Sequence, residues 1–250
     1  MLRPLARPLD DLRQEAPRVL TELDRREIPA RAVGGLAVHL RCPSAAKPPL
    51  VRDYKDLDLA TRYSEVRPLT QTLEELGYEA DREFNALHGR ERLLFWDVAN
   101  GRQLDVFVDR MVLCHTLEFG HRVQLEPRTL PLADLLLSKL QVVEIDERDL
   151  KDAAAILADH ELDADGVDAE RVTEVLAADW GWWRTATASL ERVAGYAGDL
   201  GDFTGATAVT ERIGALAERV EAAPKSRRWR MRAKLGERKR WYELPEEIDA

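Results

Sequence analysis

Asp56-Leu57-Asp58-Leu59 alternates acid with aliphatic residue. On a strand, positions two apart face the same way, so both carboxylates would point to one side and both leucines into a core. Carboxylates held this close repel each other in a partly desolvated site, and a divalent cation relieves the repulsion. Asp105 repeats the pattern in Gln103-Leu104-Asp105-Val106-Phe107, where a purely structural sheet would favour β-branched or aromatic side chains. Three acids on neighbouring strands predict a site for two Mg²⁺ ions, or Mn²⁺ in their place. Such a pair, about 3.5–4 Å apart, clamps the attacking and leaving oxygens of phosphoryl or nucleotidyl transfer. Asp105 would also accept the proton of the attacking hydroxyl. Upstream, Val33-Gly34-Gly35-Leu36 offers two glycines that let backbone N–H groups approach a triphosphate, followed by a helix N-terminus that suits negative charge.

Each of these features has a plainer reading when taken alone. An isolated Asp-x-Asp is a solvated strand face, and a glycine pair is a turn. In series they form a constellation. Other chemistries have less support, because His39, His88, His115, His121 and His160 show no His-x₃-His spacing and the two cysteines no Cys-x₂-Cys spacing for zinc. Cys114 and His115 are adjacent, which on a strand sends them to opposite faces and assigns both to packing. No Gly-x₄-Gly-Lys-Ser/Thr loop is present.

These residues need elements to hold them. Helical spacing of Leu12, Ala16, Val19, Leu20 and Leu23 predicts an amphipathic first helix. A strand over 30–33, the glycine pair and a helix over 36–40 follow, then a loop over 42–53 with Pro43, Pro48 and Pro49. Residues 56–60 read as a strand, and Ser64 as the cap of a helix that Gly77 ends. Runs 93–98 and 104–108 flank Asn100-Gly101, a pair suited to a tight hairpin turn. A strand-rich stretch continues to about Leu125. Pro131 opens a helix bearing Lys139, and Asp146 with Asp149 resembles the cap of the next, to about His160. Beyond it the chain reads as mostly helical, with Trp180, Trp183, Leu190 and Val193 in one helix and residues 209–222 in another.

At 250 residues, 45% hydrophobic and 33% charged, the chain can bury one large core or two modest ones. Its apolar runs fall short of the roughly 20 residues of a membrane span, and Met1-Leu-Arg-Pro lacks the apolar core of a signal peptide. The expectation is a cytoplasmic protein with no membrane partner and both thiols reduced. A net charge of −9 alone argues against nucleic acid as a partner. Charge is uneven, however. Residues 224–242 hold nine basic side chains (Lys225, Arg227, Arg228, Arg230, Arg232, Lys234, Arg238, Lys239, Arg240) against Glu237 alone, a local +8 that leaves −17 elsewhere. Such a segment either folds onto the acidic body or meets an anionic partner. Trp229, Trp241 and Tyr242 interleave with the arginines, a composition suited to pairing with an RNA backbone and stacking on bases.

Gly34-Gly35, Asp56-x-Asp58 and Asp105 on a later strand resemble the polymerase-β-type nucleotidyltransferase superfamily. This sequence sets 20 residues, 36 to 55, between the glycine pair and the paired acids, and Cys42–Arg52 reads as an inserted loop. Within the superfamily, Leu137-Ser-Lys139-Leu140 followed by Asp149-Leu-Lys151-Asp152 is similar to the AbiEii-type, MenT-like toxin group over roughly residues 30 to 160. The resemblance implies an α+β fold, a small mixed sheet flanked by helices with a mainly helical C-terminal region. The expected organisation is three segments: a catalytic domain over 1–128, a helical domain over 129–223 and a basic segment over 224–250. The resemblance further implies Mg²⁺ on Asp56, Asp58 and Asp105, with Asp58 and Asp105 catalytic, and an NTP held by Gly34, Gly35 and Lys139 with Asp152 supporting the site. The expected reaction moves an NMP to a hydroxyl, first an RNA (tRNA) 3′ end bound by Arg227, Arg228, Arg230 and Arg232, in a toxin-like protein that can have an antitoxin partner. A protein or small-molecule hydroxyl is the second choice. The alternatives are a silent nucleotide- or RNA-binding module and a structural helical interaction protein; for Lys139 the alternative is a surface lysine, and for Asp149 and Asp152 an exposed first helical turn.

Overall fold

A computed structural model describes residues 7–244. The chain divides into two compact units: the chain up to Ala37 with Asp53–Met111 and Glu118–Pro131, and Val38–Arg52 with Val112–Leu117 and the chain from Leu132 onward.

The first unit opens with α1 (Leu12–Arg25), where the Asp11 carboxylate caps by accepting from the Arg13 N–H. Leu12, Ala16, Val19, Leu20 and Leu23 bury one stripe, as their spacing requires. Next come β1 (Ala30–Val33) and the start of α2 (Gly34–Arg41). After them run β2 (Leu57–Thr61), α3 (Val66–Glu75), β3 (Glu79–Ala80), α4 (Arg82–His88), β4 (Arg92–Asp97) and β5 (Arg102–Val108). The sheet order is β1-β2-β5-β4-β3. β2 and β5 run parallel and the other neighbours antiparallel, so the sheet is mixed. Leu57, Leu59, Leu104, Val106, Val108, Leu93 and Phe95 are buried and alternate along their strands, which puts them on one face as its core.

Several local expectations change. β2 begins at Leu57, so Asp56 precedes the strand and is exposed. Ser64 caps no helix: it lies in a 3₁₀ turn, Tyr63–Glu65, and its hydroxyl donates to Glu65 Oε1 at 2.8 Å. Gly77 does follow α3, at φ 98°. The hairpin turn spans residues 98–101, with positive φ at Gly101 but not at Asn100. The stretch to Leu125 holds only Arg110–Val112 and Thr116–Glu118 as strands, and Cys114-His115 lies in the bend between them rather than on a strand. Both residues are nonetheless buried, and His115 Nε2 pairs with Thr185 Oγ1 at 2.8 Å. Desolvation pushes that imidazole down to about 4, so it packs neutral.

The second unit is built from α5 (Leu132–Leu140), α6 (Glu147–Asp159), α7 (Ala169–Ala178), α8 (Trp180–Asp199), α9 (Ala206–Ala222) and α10 (Arg227–Leu235). Asp146 caps α6 through the Asp149 N–H, as expected. The proline-bearing stretch is not a bare loop. Pro43–Ala46 is a 3₁₀ turn whose Ser44 N–H and hydroxyl both donate to Asp159, at 2.8 and 2.5 Å. Arg52, at its end, is held on Asp152. The basic segment forms α10, capped by Ser226 and packed on α8. Trp229 meets Trp183 at 5.5 Å, Trp241 meets Trp180 at 6.0 Å and donates to Thr185 Oγ1, and Arg232 lies 4.5 Å over Trp180. No helix among the described residues is long and apolar enough to cross a membrane.

Candidate active site

The sheet face opposite the core carries the chemistry. Strand alternation places Asp58 on it from β2, Gln103, Asp105 and Phe107 from β5, and Arg92, Leu94 and Trp96 from β4. The parallel register sets Asp58 directly beside Asp105, and the antiparallel register sets Trp96 beside Gln103. Asp58 is half-buried and Asp105 4% exposed. Arg92 Nε donates to Asp105 Oδ1 at 2.8 Å, with its guanidinium 5.4 Å from the Phe107 ring centroid.

Gly34 closes the edge of this face. Its φ is +71°, and a Cβ there would lie 2.1 Å from Asp58 Oδ2. The first glycine is therefore required twice: by the left-handed turn from β1 into α2, and by the approach of the Asp58 carboxylate. Gly34→Ala is expected to cost about 1–3 kcal/mol of stability from backbone strain alone. It should also displace Asp58, so Mn²⁺ affinity measured by electron paramagnetic resonance falls together with Tm. Unchanged Mn²⁺ affinity in a folded Gly34→Ala protein would separate Asp58 from any metal role.

The three acids arrive as a pair and an outlier. Among the described residues, no group of three or more His, Cys, Asp and Glu side chains is placed to hold a metal ion. The reason is local: Asp56 sits outside β2, and Asp105 takes its positive charge from Arg92. The carboxylate donors on this face are of the hard oxygen type that suits Mg²⁺ or Mn²⁺.

A second cluster lies in the helical unit. Lys139 is no surface lysine: it is 8% exposed, and its Nζ sits 2.8 Å from Asp149 Oδ1 and 2.9 Å from Asp152 Oδ2. Burial works to lower its proton affinity, but Asp152 and Asp149 outweigh burial and raise it above the usual lysine range. Asp152 is likewise no exposed first-turn acid. It is 1% exposed and accepts a fork from Arg52, Nε at 3.0 Å and a terminal nitrogen at 2.8 Å. Burial works to raise its proton affinity, while Lys139 and Arg52 hold it below the ordinary carboxylate range. On α10, Arg227, Arg228 and Arg230 are exposed and make no ion pair with described residues. Arg232 differs, donating to the carbonyls of Gly236 and Lys239 at 2.7 and 2.5 Å.

Sequence reasoning missed Arg92, Arg52, and the pairing of Gln103 with Trp96. The hairpin carried a signal for two of these. Once Asp97 faces Arg102 across the turn, counting back sets Trp96 on Gln103 and Arg92 two residues beyond Leu94, the partner of Asp105.

No protein-family model and no curated protein sequence matches the chain. Solved structures similar to it include two at 14% identity. One is the antibiotic-resistance factor ANT(2'')-Ia, over 86% of this chain and 96% of that one, with a TM-score of 0.40. The other is an antigenic nucleotidyltransferase-like protein from Paracoccidioides brasiliensis, over 89% and 98%, with a TM-score of 0.37.

Proposed function

We propose that the protein is a nucleotidyltransferase that moves a nucleoside monophosphate from an NTP to an acceptor hydroxyl, with release of pyrophosphate. The observation that carries this reading is the side-by-side register of Asp58 and Asp105 on one sheet face, with Gly34 pressed against Asp58. Asp58 and Asp105 would hold Mg²⁺ or Mn²⁺; Asp56, exposed and ahead of β2, is not placed with them. When bound, the cation supplies Lewis-acid polarisation of the phosphoryl oxygens. Asp105 takes the proton of the attacking hydroxyl on a carboxylate oxygen, and Arg92 orients that carboxylate through its Nε donor. The N–H groups at Gly34-Gly35 would donate to phosphate oxygens that approach closely.

The test is incubation of the protein with each labelled NTP, Mg²⁺ and total RNA or cell extract. Label on a macromolecular band, lost in the Asp58→Asn protein, supports the reading; equal labelling by Asp58→Asn refutes it.

For the acceptor we infer an RNA 3′ end, since three exposed arginines of α10 stand without acidic partners among the described residues. Each arginine that neutralises a phosphate contributes roughly 0.7 to the slope of log affinity against log salt for a single strand. Changing Arg227, Arg228 and Arg230 to Gln should therefore flatten that slope by about 2 and raise the acceptor KM, with little change in NTP KM. Arg232 stays, because it packs on Trp180. A salt-independent acceptor KM in the unaltered protein would move the acceptor to a protein or small-molecule hydroxyl.

A further inference from the structure

One polar side chain on the sheet face that carries Asp58 and Asp105 has no part in the chemistry proposed above. Gln103 lies two residues before Asp105 on β5, on the same face, roughly 7 Å along the strand. Its amide nitrogen is buried and meets no hydrogen-bond partner. A buried polar group left unpaired is destabilising. Leu or Val would fit a strand better. Gln103 and its cross-strand partner Trp96 are each only half-buried, so part of both side chains faces solvent, and a ligand pairs with the buried amide nitrogen once that side chain turns toward it. The indole is held by its edge: Nε1 donates to Asp81 Oδ2 at 3.4 Å, and Asp81 is fixed in turn as the cap of α4. Among the described residues the Trp96 ring stacks on no other aromatic.

We propose that Trp96 and Gln103 form a nucleobase subsite that selects adenine, an inference that rests on the transferase reading. An aromatic ring stacks on any base, so Trp96 supplies affinity without discrimination. The amide discriminates. Its nitrogen donates to adenine N7 while its oxygen accepts from the 6-amino group, a bidentate match. Guanine presents two acceptors along that edge and leaves the amide oxygen facing another acceptor; the pyrimidines lack the N7 partner. The orphaned donor of the free protein is thus satisfied by ligand. Adenine could arrive on the NTP or as the terminal base of an RNA acceptor, and the experiment separates the two sources.

Calorimetry on the full chain with Mn²⁺ would compare ATP with GTP, CTP and UTP in one arm, and short RNAs ending in A, G, C or U in the other. In one arm the unaltered protein should favour adenine by roughly 10- to 100-fold, in line with one bidentate base contact. Gln103→Leu should abolish that preference, keep the Mn²⁺ affinity and raise Tm, because the unpaired donor is gone. Gln103→Glu keeps the side-chain shape and offers acceptors only, so it too should lose the preference; it stands in if the leucine variant does not fold. The arm in which the preference vanishes names the source. Absence of base preference in the unaltered protein, or preference unchanged in both variants, overturns the subsite while leaving the transferase reading in place. Failure to bind either Mn²⁺ or any nucleotide overturns both.

Discussion

Asp105→Asn is expected to lower kcat for nucleotidyl transfer by about 10²–10⁴-fold, with a much smaller change in NTP KM. The asymmetry follows from the role. A base acts on the acceptor hydroxyl in the transition state, whereas the triphosphate is gripped mostly in the ground state. The fold should survive. An asparagine oxygen can still accept the Arg92 Nε–H that now reaches Asp105 at 2.8 Å, and the Arg92 side chain is 29% exposed, so water can solvate the charge that loses its counter-ion. Mn²⁺ affinity falls as well, since a neutral amide is a poorer ligand for a hard cation. Steady-state kinetics with saturating NTP, alongside thermal unfolding, check the outcome. A kcat within threefold of the parent would remove Asp105 from the chemistry and leave it a structural ion-pair partner.

The parts of the fold legible in the sequence were those fixed by short-range chemistry. Asn100-Gly101 announced the β4–β5 hairpin, Asp146 the start of α6, and Leu12 through Leu23 the buried stripe of α1. The parallel neighbours β2 and β5 were legible only as two similar acid-bearing strands. Their direct register, Asp58 on Asp105, is a pairing between segments distant in sequence that no local pattern specifies. Ser64 misled because a hydroxyl before an apolar run is a good cap only when the backbone leaves it free. Here a 3₁₀ turn takes its place.

The ionic residues were the least legible. Lys139 on an amphipathic helix is solvent-facing by ordinary expectation, yet it is buried because Asp149 and Asp152 on α6 compensate its charge. Arg52 sits in a stretch whose three prolines suggest an exposed loop, but Ser44 on Asp159 fastens that stretch and Arg52 on Asp152 completes it. In α10 the hydrophobic pattern is weak. The helix docks instead through Trp229 on Trp183 and Arg232 on Trp180, contacts that a search for apolar periodicity does not register. Trp229 is thus occupied, as is Trp241 by Trp180 and Thr185, so arginines are left for a polyanion.

Lys139→Ala should produce the largest loss of stability of any substitution considered, about 3–5 kcal/mol, because removing one member of a buried ionic cluster strands the others. Arg52 still neutralises Asp152 through its fork, which favours the lower end of that range; Asp149, its side chain 22% exposed, is solvated in part. If Lys139 also offers its charge to the triphosphate, NTP affinity falls too, and the two effects must be separated. Replacing Lys139 with Met and Asp149 with Asn together removes the lysine and one of the carboxylates it leaves behind. Thermal unfolding should then recover part of the lost stability, since the excess negative charge is reduced. NTP affinity should stay low, because no cation has been restored. Calorimetric titration of NTP into the single and double variants decides the matter: affinity that recovers in step with Tm would make Lys139 a structural ion pair alone, and affinity that stays low while Tm rises would assign its charge to the nucleotide.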